Sequence, residues 1–238
     1  MARSLVRHDQ KDRIALIAGI AIASILLWQT TLGSYLLYPF SILATWFHEM
    51  GHGIAAMITG RGFERLVIFS DGSGFAVSMG PVDGYRLTDA LIAASGPLGP
   101  AIAGALLIIA SRSPDATRNA LAVLGITLIL STMIWVRSLV GWLVLPALGL
   151  AIVGLALRGS PALQHFAIQL LGVQACISIW RQFDYLFSPG GSVGGQLQRS
   201  DTGAIADVLL LPDWFWGAAI SAAILAIMWW SFRPALRH

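Results

Sequence analysis

The apolar positions of this chain neither alternate nor keep to one helical face. They run on without interruption. After Arg3, Arg7, Lys11 and Arg13, no Asp, Glu, Lys or Arg appears until Glu49. A bilayer core about 30 Å thick is crossed by a helix of about 20 apolar residues, so this run predicts two spans folded back on each other. Gly33 and Pro39 suggest the fold-back point, giving spans near 14–35 and 39–59. Later runs predict spans at 89–110, 119–136, 139–157, 161–185 and 213–231, with Pro114, Pro161 and Pro212 at or beside their boundaries. The first run is too long for the apolar region of a signal peptide and reads as a retained anchor.

Two stretches break the pattern. In 63–80, Leu66–Phe69 and Phe75–Met79 are rich in β-formers, and Asp71-Gly72-Ser73-Gly74 between them is a turn signal, so a hairpin is expected. The segment 188–212 carries Gly190, Gly191, Gly194 and Gly195 and reads as a long loop that becomes a short helix from Ser200. The expected fold is an all-α polytopic membrane protein of about six or seven transmembrane helices with one small embedded β-hairpin. It forms a single domain over 1–238, with a cytoplasmic tail at 1–13.

Composition narrows the class. Only 11% of residues are charged and 56% are hydrophobic, whereas a soluble domain carries about 25% charged residues. A soluble enzyme and a disordered chain are excluded. The 15 Lys and Arg are dispersed, which leaves no basic face for nucleic acid. Apolar runs of span length exclude a β-barrel, whose strands alternate over about 10 residues. Cys176 is the sole cysteine, so no internal disulfide forms. The net charge of +3 suits short basic loops at a membrane surface. With the N-terminus in the cytoplasm, 10 Lys and Arg fall inside and 5 outside, the bias expected of that orientation. The short basic N-terminus suits a bacterial inner membrane.

The chemistry concentrates at His48-Glu49-Met50-Gly51-His52. This is H-E-x-x-H, and residues four apart share a helix face, so both imidazoles reach one metal. Two imidazoles and one carboxylate suit Zn²⁺ and leave a position for water. Glu49 is then placed to take a proton from that water and hand it to a leaving amine. A chain of this composition holds the motif by chance roughly once in a thousand cases. His52 and His48 lie roughly 13 and 20 Å along the helix from Arg61, near mid-membrane, where ionisable groups are costly and functional by default.

On these residues the chain resembles the site-2-protease-type intramembrane zinc metalloproteases, and more closely their M50B-like branch. The resemblance covers about Thr45 to Trp216. Softer matches are the Asp-Gly-Ser-Gly hairpin, the Gly-Pro-rich third span, the Trp-Val-Arg end of the fourth, and Ser-Asp-Thr-Gly-Ala-Ile-Ala followed by Leu-Pro-Asp-Trp. The resemblance implies hydrolysis of a peptide bond in or beside the transmembrane segment of a membrane-protein substrate, with one Zn²⁺ per chain. The better-known members take a third ligand from Leu-Asp-Gly, which this chain lacks. Asp201 and Asp184 are the candidates. Asp201 is favoured because Ser200-Asp201-Thr202 resembles a Ser-Asp-Ala type segment of the M50B-like branch. As a ligand it requires 188–212 to dip into the membrane; otherwise Ser200 or Asp201 simply caps a helix.

Three further features bear on function. Phe75, Ala76, Val77, Ser78 and Met79 form a candidate strand edge for pairing with an extended substrate, with Phe75, Val77 and Met79 on one face. Pro97 and Pro100 are expected to break or kink the third span, and its glycines to let the zinc-bearing span approach. Arg137 reads as an interfacial anchor, Gln164, Gln169 and Gln174 with His165 as interhelical partners, and Trp214, Trp216, Trp229 and Trp230 as interfacial belts. The rival to catalysis is a non-catalytic metal-binding or scaffold protein keeping the same fold. A transporter would need two related halves with paired broken helices, and only the third span has such breaks.

Overall fold

The computed structural model describes residues 2–80, 86–181 and 183–236, and the side chains of 15–80, 86–180 and 183–231. Five helices are each long and apolar enough to cross a membrane: α3 (Arg86–Ala110), α4 (Pro114–Trp135), α5 (Leu139–Arg158), α6 (Pro161–Arg181) and α9 (Asp213–Leu236). Before them come α1 (Ala2–Trp28) and α2 (Thr31–Ile58), which together count as one further, broken span bent by 117°. The chain is an all-α polytopic integral membrane protein, with five to six candidate spans among the described residues.

The bend corrects the expected boundary. It falls at Gln29–Thr30, not between Gly33 and Pro39, and Pro39 lies inside α2. Thr30 caps α2 by accepting the Gly33 N–H at 3.0 Å. A Cβ on Gly33 would lie 2.0 Å from the Leu27 carbonyl oxygen, so this glycine permits the sharp reversal rather than marking its centre. The expected tail at 1–13 is continuous with α1 from Ala2.

Glycines set the helix seams. A Cβ on Gly51 would meet the Ser95 carbonyl oxygen at 2.4 Å and one on Gly99 the Phe47 carbonyl oxygen at 2.3 Å, so α2 and α3 touch backbone to backbone. Gly125 and Gly149 do the same for α4 and α5, at 2.7 and 2.8 Å from each other's carbonyl oxygens. Without a hydrophobic drive between helices in lipid, such close packing is what joins them. Of the expected break or kink, α3 shows no break: it continues as one helix through Pro97 and Pro100.

The predicted hairpin is present as β1 (Gly62–Ile68) and β2 (Gly74–Met79), antiparallel with Leu66 opposite Ala76. Its turn closes on Asp71, whose Oδ1 accepts the Ser73 N–H at 2.9 Å and its hydroxyl at 2.6 Å. These two bonds hold the Asp71 carboxyl below its usual pKa. The outer edge of β1 is covered by the α4–α5 connection: Arg137 N–H donates to Leu66 O at 2.8 Å and Ile68 N–H to Ser138 Oγ at 3.0 Å.

The segment read as a long loop is more ordered than expected. It forms a second hairpin, β3 (Gly190–Val193) and β4 (Gln196–Arg199), followed by α8 (Asp201–Val208). Gly194 and Gly195 at the tip both have positive φ, +57° and +80°, the two-residue turn that matches strand twist. The expected sixth span, 161–185, falls on α6, described to Arg181, and on a short helix α7 (Phe183–Leu186); residue 182 between them lies outside the described residues. The tip of the second hairpin rests on the turn of the first, with Gly194 N–H donating to Ser73 Oγ at 3.1 Å.

Candidate metal centre

Burial of α2 against α3 turns His48, Glu49 and His52 inward; His48 and Glu49 are 8% and 5% exposed. Asp201 arrives from the far end of the sequence, at the first turn of α8. Ser200 performs the capping there, accepting the Gly203 N–H at 3.0 Å and donating to Ser188 O. The Asp201 carboxylate is therefore released from the cap and faces the histidines. His48 Nε2 lies 3.0 Å from Asp201 Oδ2 and His52 Nε2 lies 3.2 Å from Asp201 Oδ1. One ligand atom from each of the three residues falls within 4.8 Å of the others.

Several features test whether a metal fits. Asp201 Oδ2 is buried without a hydrogen bond despite its nearness to His48, as expected if both atoms point at a shared third partner. The ring of His52 is oriented by its Nδ1, 2.7 Å from Ile92 O. That contact fixes the tautomer with Nε2 free to ligate, the arrangement usual behind metal-binding histidines. Gly96 of α3 supplies the space: a Cβ there would lie 2.2 Å from His52 Nε2 and 2.7 Å from His48 Nε2. Finally, two carboxylates, Glu49 and Asp201, share a site walled by membrane-spanning helices, where a divalent cation balances their charge. Two imidazoles and one carboxylate are a donor set that Zn²⁺ accepts.

The cluster opens into a cavity of about 470 Å³. Glu49 borders it beside the ligands. Thr45, one turn earlier on α2, donates to Gly72 O at 2.5 Å and ties the first hairpin's turn to this helix. Leu66 directs its polar backbone groups away from β2, toward Arg137. Opposed residues of an antiparallel pair both face each other or both face away, so Ala76 presents its N–H and C=O on the outer edge of β2. Gly74 and Ser78 follow at period two. Among the described residues no backbone group pairs with that edge.

The sequence-predicted residues fall into place unevenly. His48, Glu49, His52 and Asp201 converge, whereas Asp184 lies exposed on α7 outside the cluster. Of the expected edge, Phe75, Ala76 and Ser78 border the cavity, but Val77 and Met79 are not among its lining residues and Gly74 is. Of the face expected to carry Phe75, Val77 and Met79, Phe75 thus reaches the cavity, beside Gly74, Ala76 and Ser78. Arg137 closes the end of α4 by donating to Val136 O and Ile134 O. Gln174 bonds Ser24 of α1 at 3.0 Å and Gln164 bonds carbonyls ending α5, both between helices. Gln169 instead pairs with His165 on its own helix at 3.0 Å.

Sequence reasoning missed the second hairpin's share of the site. Ser192, Gln198 and Arg199 line the cavity, with Tyr185 of α7 beside them. The Gly194-Gly195 doublet is the signal that pointed to this hairpin.

A family model described as Peptidase M50B-like matches residues 16–231. No curated protein and no solved structure matches the chain.

Proposed function

The chain belongs to the Peptidase M50B-like family, and from that premise we propose that it is an intramembrane zinc metalloprotease. It hydrolyses a peptide bond in or near the transmembrane segment of a membrane-protein substrate. The observation that carries this reading is the shared cavity: three ligand groups within 4.8 Å, a buried carboxylate beside them and an unpaired strand edge all border one space. A cell membrane of a bacterium, with the N-terminus in the cytoplasm, is the proposed setting.

His48, His52 and Asp201 would hold the zinc. When bound, the ion supplies Lewis-acid polarisation of the scissile carbonyl and makes water acidic enough to ionise near neutral pH. The remaining work belongs to the chain. Glu49 accepts a proton from water on its carboxylate and delivers it to the nitrogen of the leaving amine.

The first hairpin solves a different problem. A peptide bond within a transmembrane helix is protected by the helix's own hydrogen bonds, and breaking them in lipid costs several kcal/mol for each group left unpaired. The edge at Gly74, Ala76 and Ser78 replaces those bonds by strand pairing, so the substrate can be extended without orphaned backbone groups. Covering of the opposite edge by Arg137 and Ser138 keeps the hairpin fixed while the substrate docks.

The test uses wild type and Glu49→Gln in liposomes with single-span reporter proteins. Wild type cleaves; Glu49→Gln keeps about one zinc per chain and loses cleavage by roughly a hundredfold or more. Cleavage by Glu49→Gln at the wild-type rate overturns the role given to Glu49. An inert wild type carrying zinc favours the scaffold reading.

A further inference from the structure

Pairing with β2 serves every second residue of an extended substrate, because successive residues turn their N–H and C=O to opposite edges of a strand. The residues in between need partners on the other side, and lipid offers none. We infer that the second hairpin supplies them: the substrate strand lies between β2 and β3, pairing with Ala76 on one edge and with Ser192 on the other. This rests on the proteolytic reading above.

The register of the second hairpin fixes which of its backbone groups face outward. Ser200 N–H donates to Pro189 O at 3.2 Å, across the base of the hairpin. Bonded pairs alternate along an antiparallel ladder. Gly191 with Gln198 and Val193 with Gln196 therefore exchange bonds, while Gly190, Ser192, Leu197 and Arg199 turn theirs outward. Two outward carbonyls agree with this: Gly190 O accepts from Ser188 Oγ at 2.9 Å and Arg199 O from the Tyr185 hydroxyl at 3.2 Å. Of the remaining two residues, Leu197 is 92% exposed and does not border the cavity, whereas Ser192 does. Among the described residues no partner reaches the Ser192 N–H or C=O.

Gly74, Ala76 and Ser78 of β2 border the same cavity. The two hairpins are separate two-stranded sheets that meet at their turns. Gly194 N–H donates to Ser73 Oγ at 3.1 Å, and a Cβ on Gly194 would lie 2.3 Å from the Phe69 ring. The space between the two edges is therefore closed at the turns. Neighbouring strands sit about 4.8 Å apart, so one extended segment bridges two edges about 10 Å apart. This space leads to the chemistry. A Cβ on Gly74 would lie 3.4 Å from Glu49 Cγ, and Asp201 comes two residues after β4 ends at Arg199. A segment held on both edges passes the ligands in a fixed register, which is the positioning that hydrolysis requires.

The probe is a synthetic single-span peptide covering the cleaved segment of the reporter, in liposomes, with one backbone N-methyl group placed at each residue in turn. The methyl group removes one N–H and blocks pairing on the edge which that residue faces. Pairing on both edges predicts that consecutive residues each lose kcat/KM by about tenfold, the worth of about one hydrogen bond. Sensitivity at every second residue alone overturns the proposal and leaves strand addition to β2 standing. Ser192→Pro removes one outward N–H of β3, a change an edge strand tolerates. It should keep its zinc and raise KM about tenfold on the unmethylated peptide. At residues facing β3 the methyl group should cost less in this variant than in wild type, and at residues facing β2 the same. Leu197→Pro removes the opposed outward N–H of β4 and should cleave as wild type does. Undiminished cleavage by Ser192→Pro, or an equal loss in Leu197→Pro, overturns the role of Ser192. Should Ser192→Pro lose zinc, the scan on wild type decides by itself. A wild type that cleaves no unmethylated peptide overturns the proteolytic reading, and this pairing with it.

Discussion

Gly96 offers the sharpest test of the metal centre, because it tests the site without touching a ligand. In Gly96→Ala the new Cβ would stand 2.2 Å from His52 Nε2 and 2.7 Å from His48 Nε2. Ordinary contact begins near 3.5 Å, so the His52 nitrogen must retreat by more than about 1 Å. Metal–ligand distances tolerate only about 0.2 Å. His52 is held from behind by Ile92 O at 2.7 Å, so its retreat also strains the contact that sets its tautomer. Loss of such support lowers metal affinity by about 10- to 100-fold, or about 1.4–2.7 kcal/mol. The assay is zinc competition against a chelator of known affinity on detergent-purified protein. Overpacking a buried seam also costs about 1–3 kcal/mol of stability, and a control separates the two effects. Gly104→Ala, on the same helix, places its Cβ 2.8 Å from Cys176 Sγ and 2.9 Å from Gly172 O. It strains the α3–α6 seam away from the metal. The expected result is weakened zinc binding in Gly96→Ala alone, with comparable thermal destabilisation in both. A folded Gly96→Ala protein with wild-type zinc affinity would refute the proposed metal position.

Other perturbations probe the remaining parts. Asp201→Ala should drop zinc content well below one per chain while Asp184→Ala leaves it unchanged, by elemental analysis; the reverse pattern would move the third ligand to α7. Ala76→Pro removes the outward N–H of β2 without touching a ladder bond, a replacement an edge strand tolerates. Zinc should remain and reporter cleavage should fall at least tenfold, and undiminished cleavage would count against strand addition at this edge. Asp71 has a lowered pKa, so its turn bonds contribute above the unfolded value, near 3.8, and are lost as pH falls through the lower folded value. The Ser73 amide resonance should therefore shift only below about pH 4, and a midpoint near neutrality would contradict the turn geometry.

Much was legible in the sequence where the cause is local. Continuous apolar runs specify membrane helices because lipid leaves unpaired backbone groups no partner. Asp71-Gly72-Ser73-Gly74 specifies its turn through bonds between residues two apart. His48 and His52 share a face because helix period alone puts them there. The break between α1 and α2 was misplaced because Gly33 and Thr30 act together across the bend, and a glycine seen alone does not say which side of a turn it serves. Pro97 and Pro100 were expected to break or kink the third span, and the helix continues through them without a break.

What joins distant segments was decided only by the fold. Choosing Asp201 over Asp184 requires knowing that Ser200 takes the helix cap and leaves the neighbouring carboxylate free. The open edge of β2 follows from the α4–α5 connection covering β1, a contact between segments some 70 residues apart. The space for two imidazoles comes from a glycine on a third segment. Sequence period sets which way a side chain leaves its own helix or strand; which groups it then meets depends on how separate segments pack, and no short-range pattern encodes that.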